Sequence, residues 1–403
     1  MYKKYVEPAF MPTRAEMLAL IEERINSRLD SEIIPSDEAL DRVCAEDTLS
    51  ENTLPNKPAG RFDGIGVRFA DFENGLPDTS CWLQDKEYYF SNTGVVIRDG
   101  YDTVIIIEDI DIEDGRLIIH KAPKCKGEYV MPVGWTMKEG EALVPEGKRV
   151  SPAHIGLLAA GGVKNIKVLK KPVVTIIPTG NELVSAYQAT PPGKNVESNS
   201  HMLSAYLRLW GAEPRVHPIV QDNLNDILTV MRKAVAESDM VLILAGASKG
   251  TMDFTMDVLA QVGDVLVKEM GHGPGRHSTL TLAGDKPVVG VAGPSYGARI
   301  FAELYLHAIV NKMLRQPYEQ FVKLTVTLDN EFNVHEVDFC ERVNIVKKAD
   351  GYHASKSMDP NRTLAQTVNS VNGNFYRSMG SGYHPGDKAE VELLCARIHI
   401  PEG

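Results

Sequence analysis

The chain is poor in the features that mark several common protein types. Cysteine is scarce: Cys44, Cys81, Cys125, Cys340 and Cys395 are odd in number and scattered over 403 residues. Disulfide frames and zinc sites need paired spacing, so these read as reduced thiols of a cytoplasmic protein. Long apolar runs are missing, and none approaches the ~20 residues that cross a bilayer. The start, Met1-Tyr2-Lys3-Lys4-Tyr5-Val6-Glu7-Pro8, lacks the apolar segment of a signal peptide. Positive charge is in deficit, with a formal net charge of −11. With no long basic stripe to neutralise phosphates, that balance argues against a nucleic-acid partner. There is no internal repeat, and no Ser-His-Asp or Cys-His wiring. What remains is ordinary globular material, 43% hydrophobic and 24% charged. Its length exceeds one ordinary core and suggests about two to four domains.

The texture changes along the chain. Residues 12–29 carry apolar side chains at helical spacing, with Thr13 as cap and Glu16 three residues on. A second short helix is expected near 36–45. From 55 to 144 short β-like runs separated by Gly, Asp and Pro turns predict a mostly antiparallel β module. Ser151-Pro152 then opens a helix to about 161. Between 171 and 314 strands alternate with helices, which predicts a parallel or mostly parallel sheet covered on both faces. After Pro317 a period of two returns, as in Phe321-Val322-Lys323-Leu324-Thr325-Val326-Thr327-Leu328, predicting a small C-terminal β domain.

Two stretches in the alternating region share a design. In Val173-Val174-Thr175-Ile176-Ile177-Pro178-Thr179-Gly180-Asn181-Glu182-Leu183 and Met240-Val241-Leu242-Ile243-Leu244-Ala245-Gly246-Ala247-Ser248-Lys249-Gly250, an apolar run breaks into a polar, glycine-containing turn. Each predicts a buried strand that delivers a loop to the carboxyl edge of a sheet, where open α/β sheets bind ligands. Gly180 permits a tight turn, Thr179 can bond a ligand oxygen, and Glu182 can hold a metal ion or cofactor; Thr179 or Asn181 can equally be a helix cap. In the second loop Gly246 and Gly250 let backbone N–H groups approach an anion beside Ser248, although the spacing is not that of a nucleotide P-loop. Asp253 suits either a helix dipole or a ligand, and Asp222 either a cap or a metal. Ser198-Asn199-Ser200 reads first as an N-cap cluster. A third turn, Gly271-His272-Gly273-Pro274-Gly275-Arg276-His277, adds positive charge. The Arg276 guanidinium matches an oxyanion; His272 and His277 are spaced too loosely to favour zinc. Together the loops suggest a site for an anionic small molecule.

Several segments, in order, resemble one family, the molybdopterin molybdotransferases that include the C-terminal domain of gephyrin. Glu38-Ala39-Leu40-Asp41-Arg42-Val43-Cys44-Ala45-Glu46-Asp47 resembles its E-A-L-G-R-V-L-A-E-D, and Phe62-Asp63-Gly64-Ile65-Gly66-Val67-Arg68 its M-D-G-Y-A-V-R. Thr93-Gly94 with Asp99-Gly100-Tyr101-Asp102-Thr103-Val104 resembles T-G-A-x-x-P-x-G-A-D-A-V. Residues 178–183 resemble S/P-T-G-D-E-L, residues 245–253 resemble G-G-V-S-V-G-x-x-D, and Gly290-Val291-Ala292-Gly293-Pro294 is similar to G-L-P-G-N-P.

The resemblance implies a multidomain α/β plus β fold. A helical linker region (1–54 and 140–170) would carry an inserted β domain (55–139). A doubly wound α/β molybdopterin-binding domain (171–316) and a C-terminal β-barrel-like domain (317–403) would follow. It further implies a homodimer with the active cleft shared between chains. Asp63, Thr93, Glu182, Asp222 and Asp253 would be catalytic, with Asp63 and Thr93 acting in trans. Thr179, Gly180, Ser198, Asn199, Gly246, Ser248, Gly250, Gly275, Arg276 and His277 would bind the pterin ligand. Glu182, Asp222 and Asp253 would hold a divalent cation, Mg²⁺. The implied reaction inserts molybdenum from molybdate into adenylylated molybdopterin with release of AMP.

The chain departs from the family pattern where charge matters. G-E-D-I becomes Gly134-Trp135-Thr136-Met137, and K-P-G-K-P becomes Gly273-Pro274-Gly275-Arg276-His277. Asn181 replaces the acid of T-G-D-E-L, and P-G-N-P becomes Ala292-Gly293-Pro294-Ser295. The altered Trp135-Thr136 and Gly273 positions favour an alternative, a non-catalytic molybdopterin-binding relative acting as carrier, sensor or maturation partner.

Overall fold

The computed structural model describes residues 8–245, 254–357 and 363–394. The chain divides into two compact units, one formed by 31–169 and the other by 1–30 with 170–403.

The 31–169 unit is built from short antiparallel pairs. Its inner sheet places Gly64–Val67 between Tyr89–Ser91 and Thr103–Ile106. A hairpin, Ile110–Glu113 with Arg116–Ile119, packs nearby, and Ile65, Val67, Phe72, Ile105 and Leu117 form the core between them. At the base, Ser31–Pro35 pairs with Asn165–Leu169 and Thr48–Leu49 with Ala142–Val144. Against these packs the one α-helix described in the unit, Pro152–Ala160, opened by a reciprocal cap between Ser151 and His154.

The helix expected near 36–45 does not form. Only Ser36–Glu38 makes a tight 3₁₀ turn. Asp41 adopts φ 61, which breaks the helical path. Asp41 and Cys44 donate their backbone N–H groups to Val150 and Lys148, so the segment spends its hydrogen bonds on the connection between Ala142–Val144 and Pro152–Ala160.

The second unit begins with helix Arg14–Arg24, where Thr13 and Glu16 form the capping box read from the sequence. Helix Asn199–Leu209 starts before His201, and Leu224–Glu237 and Thr255–Val262 follow as expected. The final helical stretch runs from Ser295 to Met313 and contains one π-type turn, Ala302–Leu306. The six-stranded sheet has Val173–Pro178 parallel to both Glu213–Val216 and Met240–Ala245, and Met240–Ala245 parallel to Lys286–Ala292. Two further strands, Thr279–Ala283 and Asp264–Val267, close one side antiparallel. The sheet is therefore mixed. Ile177, Val241, Ile243 and Val288 pack beneath the helices through Ile227, Met231, Val258 and Leu259.

The C-terminal strands Lys323–Leu328, Asp338–Lys348, Gly351–Lys356, Gly373–Arg377 and Lys388–Leu393 close into a five-stranded barrel around Val326, Phe332, Val343, Ile345, Phe375 and Val391. His272–Gly273 adds a short parallel strand to the edge at Asp338–Phe339. Closure matters physically because a short barrel leaves few unpaired strand edges.

Candidate functional site

The parallel strands bring their carboxyl ends to one edge. Thr179 donates its backbone N–H to the Leu244 carbonyl at 2.9 Å, which fixes the two strand-to-loop exits side by side. Its hydroxyl donates to the same carbonyl at 3.1 Å, so the Thr179 proton is used within the sheet. Gly180 has φ 144, and a Cβ there would stand 2.7 Å from a Glu182 carboxylate oxygen. The Glu182 carboxylate could swing away from such a Cβ, so it is the positive φ that favours glycine at this turn. Glu182 itself is exposed.

Asp222 belongs to the same edge. Its Oδ2 accepts the Asn181 N–H at 3.0 Å, while its own N–H donates to Asn181 Oδ1 at 3.1 Å. The pair ties the 180–183 turn to the loop after strand Glu213–Val216. Asp222 is not the cap of the next helix: Asn223 fills that role, accepting from the N–H groups of Asn225 and Asp226. The helix Asn199–Leu209 is opened by Glu197, a buried carboxylate that accepts from both the N–H and the hydroxyl of Ser200. Ser198 makes no side-chain cap bond, so its N-cap reading is corrected. Asn199 donates from Nδ2 to the Gly293 carbonyl at 2.7 Å, and its buried Oδ1 has no partner among the described residues. Gly246, Ser248, Gly250 and Asp253 lie outside the described residues. Among the described residues no group of three or more His, Cys, Asp or Glu side chains is gathered for a metal.

The third loop is built differently. Gly275 has φ 97, and its Cα packs against Gly297 so closely that a Cβ would meet the Gly297 carbonyl at 3.0 Å. Arg276 does not stand open to an anion. Its Nε donates to Glu269 at 2.9 Å and its Nη2 reaches Met11 Sδ at 3.3 Å. Glu269 is buried and also approaches His277 Nδ1 at 3.3 Å, outside hydrogen-bond alignment. Glu269 was absent from the sequence reading; the available signal was an acid seven residues ahead of an Arg in a turn-rich segment. His272 is fully buried against Tyr305 and Tyr376, and neither ring nitrogen has a hydrogen-bond partner among the described residues. Burial pushes its pKa down to about 4, partly opposed by Asp338. A ring held neutral and enclosed by protein is a packing residue.

In the 31–169 unit, Asp63 and Thr93 meet although thirty residues separate them. Asp63 Oδ1 accepts the Thr93 N–H at 2.7 Å and its hydroxyl at 3.1 Å. Both residues are exposed. Beside them Arg61 lies over the Phe62 and Trp135 rings, at 5.4 and 5.5 Å. Arg61 carried no weight in the sequence, because only the fold brings residues 61 and 135 together.

Comparison with known proteins agrees with this architecture. The family model described as "MoeA N-terminal region (domain I and II)" matches residues 13–162, and "Probable molybdopterin binding domain" matches 175–312. A curated molybdopterin molybdenumtransferase of Staphylococcus epidermidis is 26% identical over 312 residues, covering 73% of this chain and 74% of its own. One from Nostoc is 28% identical over 310 residues, covering 72% and 71%. Among solved structures, the molybdopterin biosynthesis MoeA protein of Pyrococcus horikoshii superposes with a TM-score of 0.76 at 23% identity, over 95% of this chain and all of the other. The fold is that of the multidomain proteins joining a molybdopterin-type α/β domain to β modules and a terminal barrel. The chain belongs to the MoeA family.

Proposed function

We propose that this protein is a molybdopterin molybdotransferase of molybdenum cofactor biosynthesis, inserting molybdenum from molybdate into adenylylated molybdopterin and releasing AMP. The observation that carries the reading is the run of both MoeA-family regions, in order, along 13–162 and 175–312. The geometry is compatible: the carboxyl edge of the α/β sheet presents Glu182 and Asp222 on turns braced by Asn181.

In this reading Thr179, Gly180, Ser198 and Asn199 shape the ligand cradle with Gly246, Ser248 and Gly250, and Gly275, Arg276 and His277 border it. The Asn199 Oδ1 is buried and has no partner among the described residues. Glu182 and Asp222, with Asp253, are an all-oxygen donor set that suits a hard cation such as Mg²⁺. When bound, the cation would polarise the pyrophosphate link. Asp63 orients the Thr93 hydroxyl and N–H, and these two residues serve the cleft of a partner chain in a homodimer. We place the reaction in the cytoplasm; among the described residues no helix is long and apolar enough to cross a membrane.

The test is growth of a strain lacking its insertion enzyme under conditions that demand a molybdenum enzyme. Wild type should restore growth, and Asp63→Ala or Glu182→Ala should not. The second reading, a non-catalytic molybdopterin-binding relative, is favoured by Trp135-Thr136 and Gly273 in place of the family's acids and lysine. It predicts molybdopterin binding without rescue.

A further inference from the structure

The departure at Trp135 has a structural counterpart in Arg61. The backbone N–H of Arg61 donates to the Tyr129 carbonyl at 2.8 Å, and Phe62 meets the Tyr129 ring edge-on at 5.3 Å. The turn is held on its other side by the Asp63–Thr93 bonds. From this braced turn the guanidinium lies over Phe62 and Trp135, two rings that are 43% and 56% exposed. No carboxylate pairs with Arg61 among the described residues, in contrast to Arg276 with its buried Glu269. Rings restrain a guanidinium without cancelling its charge or occupying its in-plane N–H donors. A carboxylate at 135, as in the family's G-E-D-I segment, would stand beside that guanidinium and neutralise it. The exchange of acid for Trp therefore leaves a positioned, unspent cation two residues from Asp63.

We infer that Arg61, steadied by Phe62 and Trp135, is an oxyanion-binding residue that takes a dianionic tetrahedral group, either the phosphate of the adenylate or molybdate itself. This assignment rests on the molybdotransferase reading for its ligands. The planar fork offers two parallel N–H donors to two oxygens of such a group.

Titration calorimetry of the full-length protein with AMP and, separately, with molybdate tests it. Wild type should bind at least one, and Arg61→Ala should weaken that binding by about tenfold or more, the usual range for a charge-assisted contact. Loss confined to AMP assigns the phosphate, and loss confined to molybdate assigns the oxyanion substrate. Arg61→Lys should recover binding only in part because the fork is lost, and Trp135→Glu should weaken the same anion. A wild type that binds neither, or an Arg61→Ala protein that binds both unchanged, overturns the inference. The reading of the reaction fails separately, if wild type does not bind adenylylated molybdopterin; Arg61-dependent AMP binding would then still stand.

Discussion

Two arginines in turn-rich segments, one in each compact unit, have opposite fates. Arg276 lies in the most conspicuous cationic loop of the sequence, yet it is occupied by Glu269, which is buried, and reaches Met11. Arg61 lies in an inconspicuous run, yet only aromatic rings hold it among the described residues. The contrast teaches that a positive residue in a glycine loop is not the same as positive charge available to a ligand. What decides is the partner supplied from elsewhere in the fold. The same holds for the acids. Glu197 and Glu269 are buried and committed to neighbours, whereas Glu182 is exposed on a glycine-permitted turn.

That difference can be sharpened by experiment. The largest effect is expected at the exposed acid. Glu182→Ala should reduce molybdate-dependent AMP release by about 10²–10³-fold, the range for losing one positioned electrostatic group, with the unfolding midpoint nearly unchanged. A drop in stability with retained turnover would put Glu182 among the structural acids instead.

His272 comes next. Its folded pKa of about 4 lies below the ordinary histidine value of 6.5 because the ring is buried. Below pH 6.5 the unfolded chain takes up a proton that the folded chain refuses until about pH 4, so stability is full above 6.5 and is lost as pH falls through that window. Denaturant unfolding of wild type between pH 7 and 4.5 should lose about 2–3 kcal/mol more than His272→Phe. Parallel losses in the two proteins would remove His272 as the cause.

Glu269→Ala should cost about 2 kcal/mol of stability, since it strips a partly buried guanidinium of its carboxylate; urea unfolding reads this directly. An unchanged midpoint would mean that the Glu269–Arg276 pair contributes nothing net to stability. The smallest effect is at the first helix, where Thr13→Ala should cost about 1 kcal/mol through the lost capping box.

Much of the fold was legible because it is written locally. The capping box at Thr13 and Glu16, the apolar strand runs and the helices 224–237 and 255–262 all follow from neighbouring residues. Failures came where long-range pairing overrides a local pattern. Residues 36–45 look helical, yet their backbone donors are used by residues near 148–150. The antiparallel strand Thr279–Ala283 was passed over although it turns into its partner at Gly284-Asp285. The candidate site was legible in part. The strand-to-loop exits announce a sheet-edge pocket by their pattern. The Asn181–Asp222 brace, the Glu269–Arg276 pair and the Arg61–Trp135 contact join residues far apart in the chain, so no local spacing could have disclosed them.

The central claim is turnover. Purified full-length protein, given adenylylated molybdopterin, Mg²⁺ and molybdate, should release AMP only when molybdate is present. Absence of AMP release with molybdate present would contradict the account and leave a protein that binds the pterin without acting on it.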